Sequence, residues 1–129
     1  MKRRTYLKNV LAGAGVAVVG AAPRQPPIQL HVDLSVNPAR EKEMLDIFHT
    51  KFRPAASVQP GFLDAQMLKL RSALGGTAPE RVNYRFVLIF ESEEQRQHWV
   101  ATPIHQQLWP AIENTLRTKS YNILLYDVA

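Results

Sequence analysis

The sequence predicts an α+β domain, with four antiparallel strands in one sheet and two helical segments packed on a single face. Three observations predict it. Apolar residues recur first with period two and then at helical spacing, in the order strand, helix, strand, strand, helix, strand. Capping residues stand at the start of both helical stretches. The composition, 46% hydrophobic and 21% charged over 129 residues, is that of one ordinary globular domain.

Each element has its own local reason. Ile28, Leu30, Val32, Leu34 and Val36 alternate with Gln29, His31, Asp33 and Ser35, which is the pattern of a half-buried strand with one polar face. Asn37-Pro38 ends that strand and opens a helix, with Asn as N-cap and Pro at the first helical position. Met44, Leu45, Phe48 and Phe52 follow at helical spacing, and Pro54 is expected to stop the helix. Gln59-Pro60-Gly61 turns into a second strand over Phe62–Leu70, whose apolar parity changes between Met67 and Leu68, so a bulge is expected there. Gly75–Pro79 is a loop.

Val82, Tyr84, Phe86, Leu88 and Phe90 form a third strand, apolar on both faces toward its end and therefore central. Ser92-Glu-Glu-Gln95 is a capping box for the second helical region. Thr102-Pro103 bends or restarts it before a stripe of Ile104, Leu108, Ile112 and Leu116. Tyr121, Ile123 and Leu125 alternate with Asn122, Leu124 and Tyr126 in a fourth strand.

A β-α-β-β-α-β order closes most compactly as a ferredoxin-like sheet with both helices on one face. Phe62, Met67 and the apolar residues on the second faces of strands three and four are then expected to need another cover. A second copy, sheet against sheet, supplies it most simply, so a homodimer is expected.

The amino terminus reads as an address rather than as part of the fold. Residues 1–22 run from a basic start through an apolar stretch to small residues, with cleavage expected after Ala22. A buried helix is the alternative, but the glycine and alanine content would pack and propagate poorly. Arg3-Arg4-Thr5-Tyr6-Leu7-Lys8 resembles the twin-arginine consensus, with Tyr6 in place of Phe; a general secretory signal or a retained anchor is the competing reading. The first reading implies a periplasmic or secreted bacterial protein whose partner during export is the Tat translocase.

Residues 23–27 are a proline-rich linker and 28–129 the domain. The signal also accounts for the charge. Sixteen basic residues face eleven acidic ones, a net +5, but without Lys2, Arg3, Arg4 and Lys8 the balance is twelve to eleven. A nearly neutral domain gives no reason to expect nucleic acid as partner. The chain has no cysteine, which excludes disulfides, thiolate zinc or iron–sulfur sites, a thiol nucleophile and a lipidated amino-terminal cysteine.

Three motifs carry a resemblance. Pro60-Gly61-Phe62-Leu63 at the turn into the second strand, Phe90–Glu94 followed by Trp99, and Thr102-Pro103-Ile104-His105 resemble, in order and spacing, the antibiotic-biosynthesis-monooxygenase-like family of dimeric α/β barrels. The likeness covers about Ile28 to Val128. It implies a dimeric ferredoxin-like domain, in a superfamily of cofactor-independent monooxygenases, haem-degrading enzymes, isomerases and proteins of unknown role. The haem-degrading branch uses an Asn on the first strand, a Trp on the second helix and a His ten residues on. Val32, Trp99 and Trp109 stand at those positions here, so two of the three residues are missing.

A cofactor-free oxygenase needs hydrogen bonds or a base for an oxyanion, a dry aromatic pocket and room for dioxygen. No cofactor and no metal is then expected. His105, in the first turn of its helix, is the candidate catalytic residue, kept neutral by the helix dipole. Its alternative role is structural, as a histidine bonded to a loop carbonyl at the Thr102-Pro103 bend. Trp99 and Trp109 could clamp an aromatic ligand or simply fill the core. Tyr84 is core or pocket wall, and Arg85, on the other face, could hold an anion or make an ion pair.

His31 and Asp33 share a face of the first strand and are candidate ligand contacts; a metal would need a further ligand that the spacing of His49 and His98 does not supply. The leading expectation is thus an exported monooxygenase acting with dioxygen on a quinol-like or other electron-rich aromatic substrate. Its rival is a non-catalytic ligand-binding or accessory module. A cavity of about 300 Å³ or more lined by both tryptophans and His105 favours the enzyme. A solid interior favours the module.

Overall fold

The structure, a computed structural model, describes residues 25–129, and the export signal read in residues 1–22 lies outside them. Four strands, β1 (Ile28–Leu34), β2 (Phe62–Lys69), β3 (Tyr84–Phe90) and β4 (Ile123–Asp127), form one sheet in the order β2-β3-β1-β4. All three pairings are antiparallel. β1 and β3 are central, as the two-sided apolar pattern of β3 predicts.

Four short helices cover one face: α1 (Glu41–Ile47), α2 (Arg53–Ser57), α3 (Glu93–Val100) and α4 (Pro103–Glu113). The core lies between them and the sheet. Ile28, Val32 and Leu34 from β1 and Tyr84, Phe86, Leu88 and Phe90 from β3 meet Met44, Phe48, Phe52, Trp99, Leu108 and Ile112 from the helical side. This is the ferredoxin-like α+β arrangement expected from the element order.

The caps form where the sequence places them. The Asn37 side chain accepts from the Ala39 amide at 2.9 Å, opening a 3₁₀ turn over Pro38–Arg40 that leads into α1. Ser92 Oγ accepts from the Gln95 amide at 3.2 Å and donates to the Gln95 side chain.

Three expectations are corrected. Pro54 does not stop the first helical region, which runs on to Ser57. Phe48–Phe52 form a π turn, closed by the Arg53 amide bonding to the Phe48 carbonyl. Pro54 is then one of the first residues of α2, where its missing N–H and fixed φ are tolerated.

The bulge in the second strand lies at Leu63 rather than between Met67 and Leu68, since the β2–β3 register shifts between Phe62 and Asp64. That extra residue puts Phe62 and Met67, which have opposite parity in the sequence, on the same face. They pair with Phe90 and Phe86 and pack on the helix-side core, and do not belong to the second face.

The second face carries other residues. Gln29, His31 and Asp33 of β1 share it with Arg85, Val87 and Ile89 of β3, Leu68 of β2, and Leu124 and Tyr126 of β4. Leu68, Leu124 and Tyr126 are exposed. Every residue of the edge strand β4 is exposed.

Candidate active site

The break between α3 and α4 builds the site. Thr102 Oγ1 donates to the Trp99 carbonyl at 2.7 Å and accepts from the His105 amide at 3.2 Å, so one hydroxyl ends α3 and caps α4. Pro103 occupies the first turn of α4, where its missing N–H costs nothing. The cap fixes His105 three residues into the new helix. Its ring lies perpendicular to Trp99 at 5.1 Å between centroids and 5.9 Å from Phe52.

Beside that ring is a cavity of about 230 Å³ between sheet and helices. Leu30 and Val32 of β1 with Phe86 and Leu88 of β3 line its sheet side. Phe52 of the π turn, Val100 and Trp109 line its helix side, and Ile123 of β4, about half exposed, completes the lining. His105 and Arg96 are its two polar lining residues.

Trp109 is held in place by a relay: its indole N–H donates to the Tyr121 hydroxyl at 3.0 Å, which donates to Glu113 at 2.5 Å. Burial, reinforced by the bond to Glu113, pushes the Tyr121 phenol up to about 12, so it stays a donor. The indole ring sits 5.4 Å from Phe86 and 5.9 Å from Phe52.

The electrostatics follow from burial. Desolvation, with a smaller contribution from the Arg96 charge, lowers the His105 pKa to about 4, so the imidazole is neutral at pH 7. Its Nδ1 is sealed from solvent with no hydrogen-bond partner, whereas Nε2 makes no bond among the described residues and is not sealed. A neutral imidazole can donate or accept one hydrogen bond into the cavity, but as a ground-state base it is weak. Arg96 bonds through Nε and Nη2 to both carboxylate oxygens of Glu93, each at 2.6 Å. That contact holds the Glu93 carboxyl below its usual range.

The sequence-predicted residues divide. His105 and Trp109 are brought together at the cavity. Trp99 is fully buried, and lies behind His105 rather than on the cavity wall, its indole N–H unpartnered. Tyr84 is elsewhere: its hydroxyl donates to Glu41 at 2.5 Å beside the Lys69–Glu41 ion pair, and burial raises it to about 12.

His31 and Asp33 lie on the opposite face of the sheet because their parity differs from that of Leu30 and Val32. There Asp33 pairs with Arg85 at 2.8 Å, and His31 meets Gln29 at 3.0 Å and the Tyr126 ring. Burial, then Arg85, lowers the His31 pKa, with Asp33 opposing. Among the described residues no three His, Asp or Glu side chains cluster as a metal site needs.

The alternative role for His105 at the bend does not match the geometry. The Thr102 hydroxyl and the His105 backbone amide fix the bend, while the imidazole has no carbonyl partner among the described residues. Sequence reasoning missed Arg96, Phe52 and Tyr121 as site residues. Arg96 reads as an i,i+3 partner of Glu93 on a helix surface. Its approach to His105 needs the turn at Thr102, whose angle the sequence does not specify.

The fold is that of known structures. A candidate antibiotic biosynthesis monooxygenase from Caulobacter crescentus superposes with a TM-score of 0.65 at 22% identity, over 81% of this chain and 92% of that one. SnoaB, a cofactor-independent oxygenase from Streptomyces nogalater, superposes with 0.59 at 14% identity, over 83% and 95%. A protein of unknown function from Nitrosomonas europaea gives 0.60 at 19%, over 82% and 92%. At these identities the likeness establishes the fold. No protein-family model and no curated protein sequence matches the chain.

Proposed function

We propose that this chain is a small cofactor-independent monooxygenase that oxidises a quinol-like aromatic substrate with dioxygen. The observation that carries the reading is the cavity itself: an aromatic and aliphatic chamber lined by one neutral histidine that a helix cap holds in place. A cavity of about 150 Å³ holds a benzene molecule. The 230 Å³ here therefore suits one substituted ring or two fused rings.

In the proposed reaction a hydroquinone, losing its phenolic proton to solvent, passes one electron to dioxygen. The radical pair combines to a carbon-bound hydroperoxide, which loses water. One oxygen atom ends on the ring as a hydroxyquinone and the other leaves as water, the quinol supplying all four electrons. His105 holds the quinol oxygen by a hydrogen bond, and the apolar walls exclude competing water. Trp109, fixed by Tyr121, aligns the ring by stacking.

The proposal extends to assembly and location. Exposed Leu68, Leu124 and Tyr126 on the uncovered sheet face support a homodimer formed through that face. The basic-apolar pattern of residues 1–22 supports Tat-dependent export to the periplasm, tested by replacing Arg3-Arg4 with Lys-Lys; undiminished export would reject it.

A second reading, a non-catalytic aromatic-binding module, is favoured by three observations: His105 with a pKa of about 4 is a weak base, the cavity meets one tryptophan rather than both, and its 230 Å³ falls short of the roughly 300 Å³ expected of the enzyme. Oxygen uptake by the mature protein with a panel of hydroquinones separates the two. Turnover that falls in His105→Ala supports the oxygenase. Binding of quinols without uptake supports the module.

A further inference from the structure

We propose that Arg96 makes this cavity a site for a monoanionic aromatic ligand, a single ring bearing a phenolate or carboxylate oxygen. The inference rests on reading the cavity as the substrate site. It begins from charge. Arg96 is a cationic lining residue, and among the described residues no carboxylate side chain lines the cavity with it.

Its salt-bridge partner lies outward: the Glu93 side chain is 32% exposed against 17% for Arg96, and Glu93 is not on the cavity wall. The guanidinium fork uses Nε and Nη2 on Glu93, and Nη1 makes no hydrogen bond among the described residues. The cation also acts on the cavity interior, since its charge, second to burial, disfavours protonation of His105.

The two polar groups together define the ligand. A neutral imidazole offers one hydrogen bond and an arginine offers a cation; the apolar remainder accepts a ring. A neutral ring leaves Nη1 without a partner among the described residues, since Glu93 takes only Nε and Nη2. An oxyanion at Nη1 completes it with a charge-assisted bond. Substrates of the site are therefore quinols that carry an acidic phenol or a ring carboxylate, rather than neutral alkylated quinols. Arg96 is a specificity-determining residue on this account, and His105 the group that holds the second oxygen.

The test is equilibrium binding of three inert probes of similar shape: para-nitrophenol, para-nitrobenzoate and neutral nitrobenzene. The nitrophenol absorbance reports its own ionisation. Wild-type protein should bind an anionic probe about tenfold or more tighter than nitrobenzene, the scale of a charge-assisted hydrogen bond. Bound nitrophenol should ionise at lower pH than free. Arg96→Gln should abolish both effects, while Glu93→Gln, which keeps the cation and removes its partner, should preserve or enhance them.

A preference for one anion over the other assigns phenolate or carboxylate. Equal binding of all three probes, or an anion preference that survives in Arg96→Gln, overturns the proposal. Anion binding without oxygen uptake from any quinol leaves the proposal standing and refutes the oxygenase. Uptake from neutral quinols that is unaffected by Arg96→Gln does the reverse. No binding of any probe overturns the proposal, and oxygen uptake with hydroquinones then decides the oxygenase reading alone.

Discussion

Replacing His105 with Leu should make the protein more resistant to acid. In the folded chain the imidazole pKa is lowered to about 4, against about 6.5 for a free histidine. Between those values the unfolded chain binds a proton that the folded chain does not, so stability falls as pH drops from 6.5 toward 4. The full shift corresponds to about 3 kcal/mol, at 1.36 kcal/mol per pKa unit. His105 is only partly buried, and solvent screening brings the expected loss down to about 1–2 kcal/mol.

Leucine has a similar bulk, cannot titrate and removes the sealed, unpartnered Nδ1, whose desolvation itself costs about 1–3 kcal/mol. The variant should therefore be at least as stable as wild type at pH 7. Its advantage should then widen by about 1–2 kcal/mol by pH 4.5. Urea unfolding at half-unit steps from pH 4 to pH 8 measures the difference. His31 and the carboxylates titrate in both proteins and cancel. A wild-type-minus-variant difference that is flat across this range would refute the buried, neutral His105.

Other perturbations test other links. Gly61 has φ of 85°, a left-handed backbone that costs an alanine about 1–2 kcal/mol, so Gly61→Ala should destabilise by that amount, with the Gln95 amide displaced by the new Cβ; unchanged thermal stability would reject the left-handed turn. Trp109→Phe removes the hydrogen bond to Tyr121 and enlarges the cavity. It should cost about 1–2 kcal/mol and shift the preferred quinol toward a bulkier ring, and an unaltered ranking would show that Trp109 is not a wall. Leu124→Asp puts a charge on the uncovered sheet face at a side chain already exposed in the single chain, so it should leave the fold intact and halve the mass measured by sedimentation. Equal masses for both proteins would place the subunit contact elsewhere or nowhere.

The sheet was legible because β1 alternates strictly and β3 is apolar on both faces, and the parity of β1 alone sorts Val32 to the cavity and His31 to the opposite face. The helix starts were legible because Asn37, Ser92 and Thr102 act through local backbone geometry. Pro54 misled because a π turn is a tertiary accommodation: burying Phe48 and Phe52 together outweighs the local preference to end the helix. The bulge at Leu63 misled for a similar reason, since its position depends on which β2 residues pair with β3.

At the site, His105 was found because a titratable residue in a capped first turn stands out in any sequence. Arg96 was not, because Glu93 supplies a sufficient surface explanation for it. Trp99 and Trp109 have similar local signals. Only the angle between α3 and α4 decides that the first is core and the second wall.

The most direct test of the account is turnover of a ring-substituted acidic hydroquinone under isotopically labelled dioxygen, with mass analysis of the product. The account predicts one labelled oxygen on the ring and one in water for each dioxygen consumed, with the rate reduced in His105→Ala. Ligand bound in the cavity with no label incorporated, or oxidation to the plain quinone with hydrogen peroxide released, would contradict it.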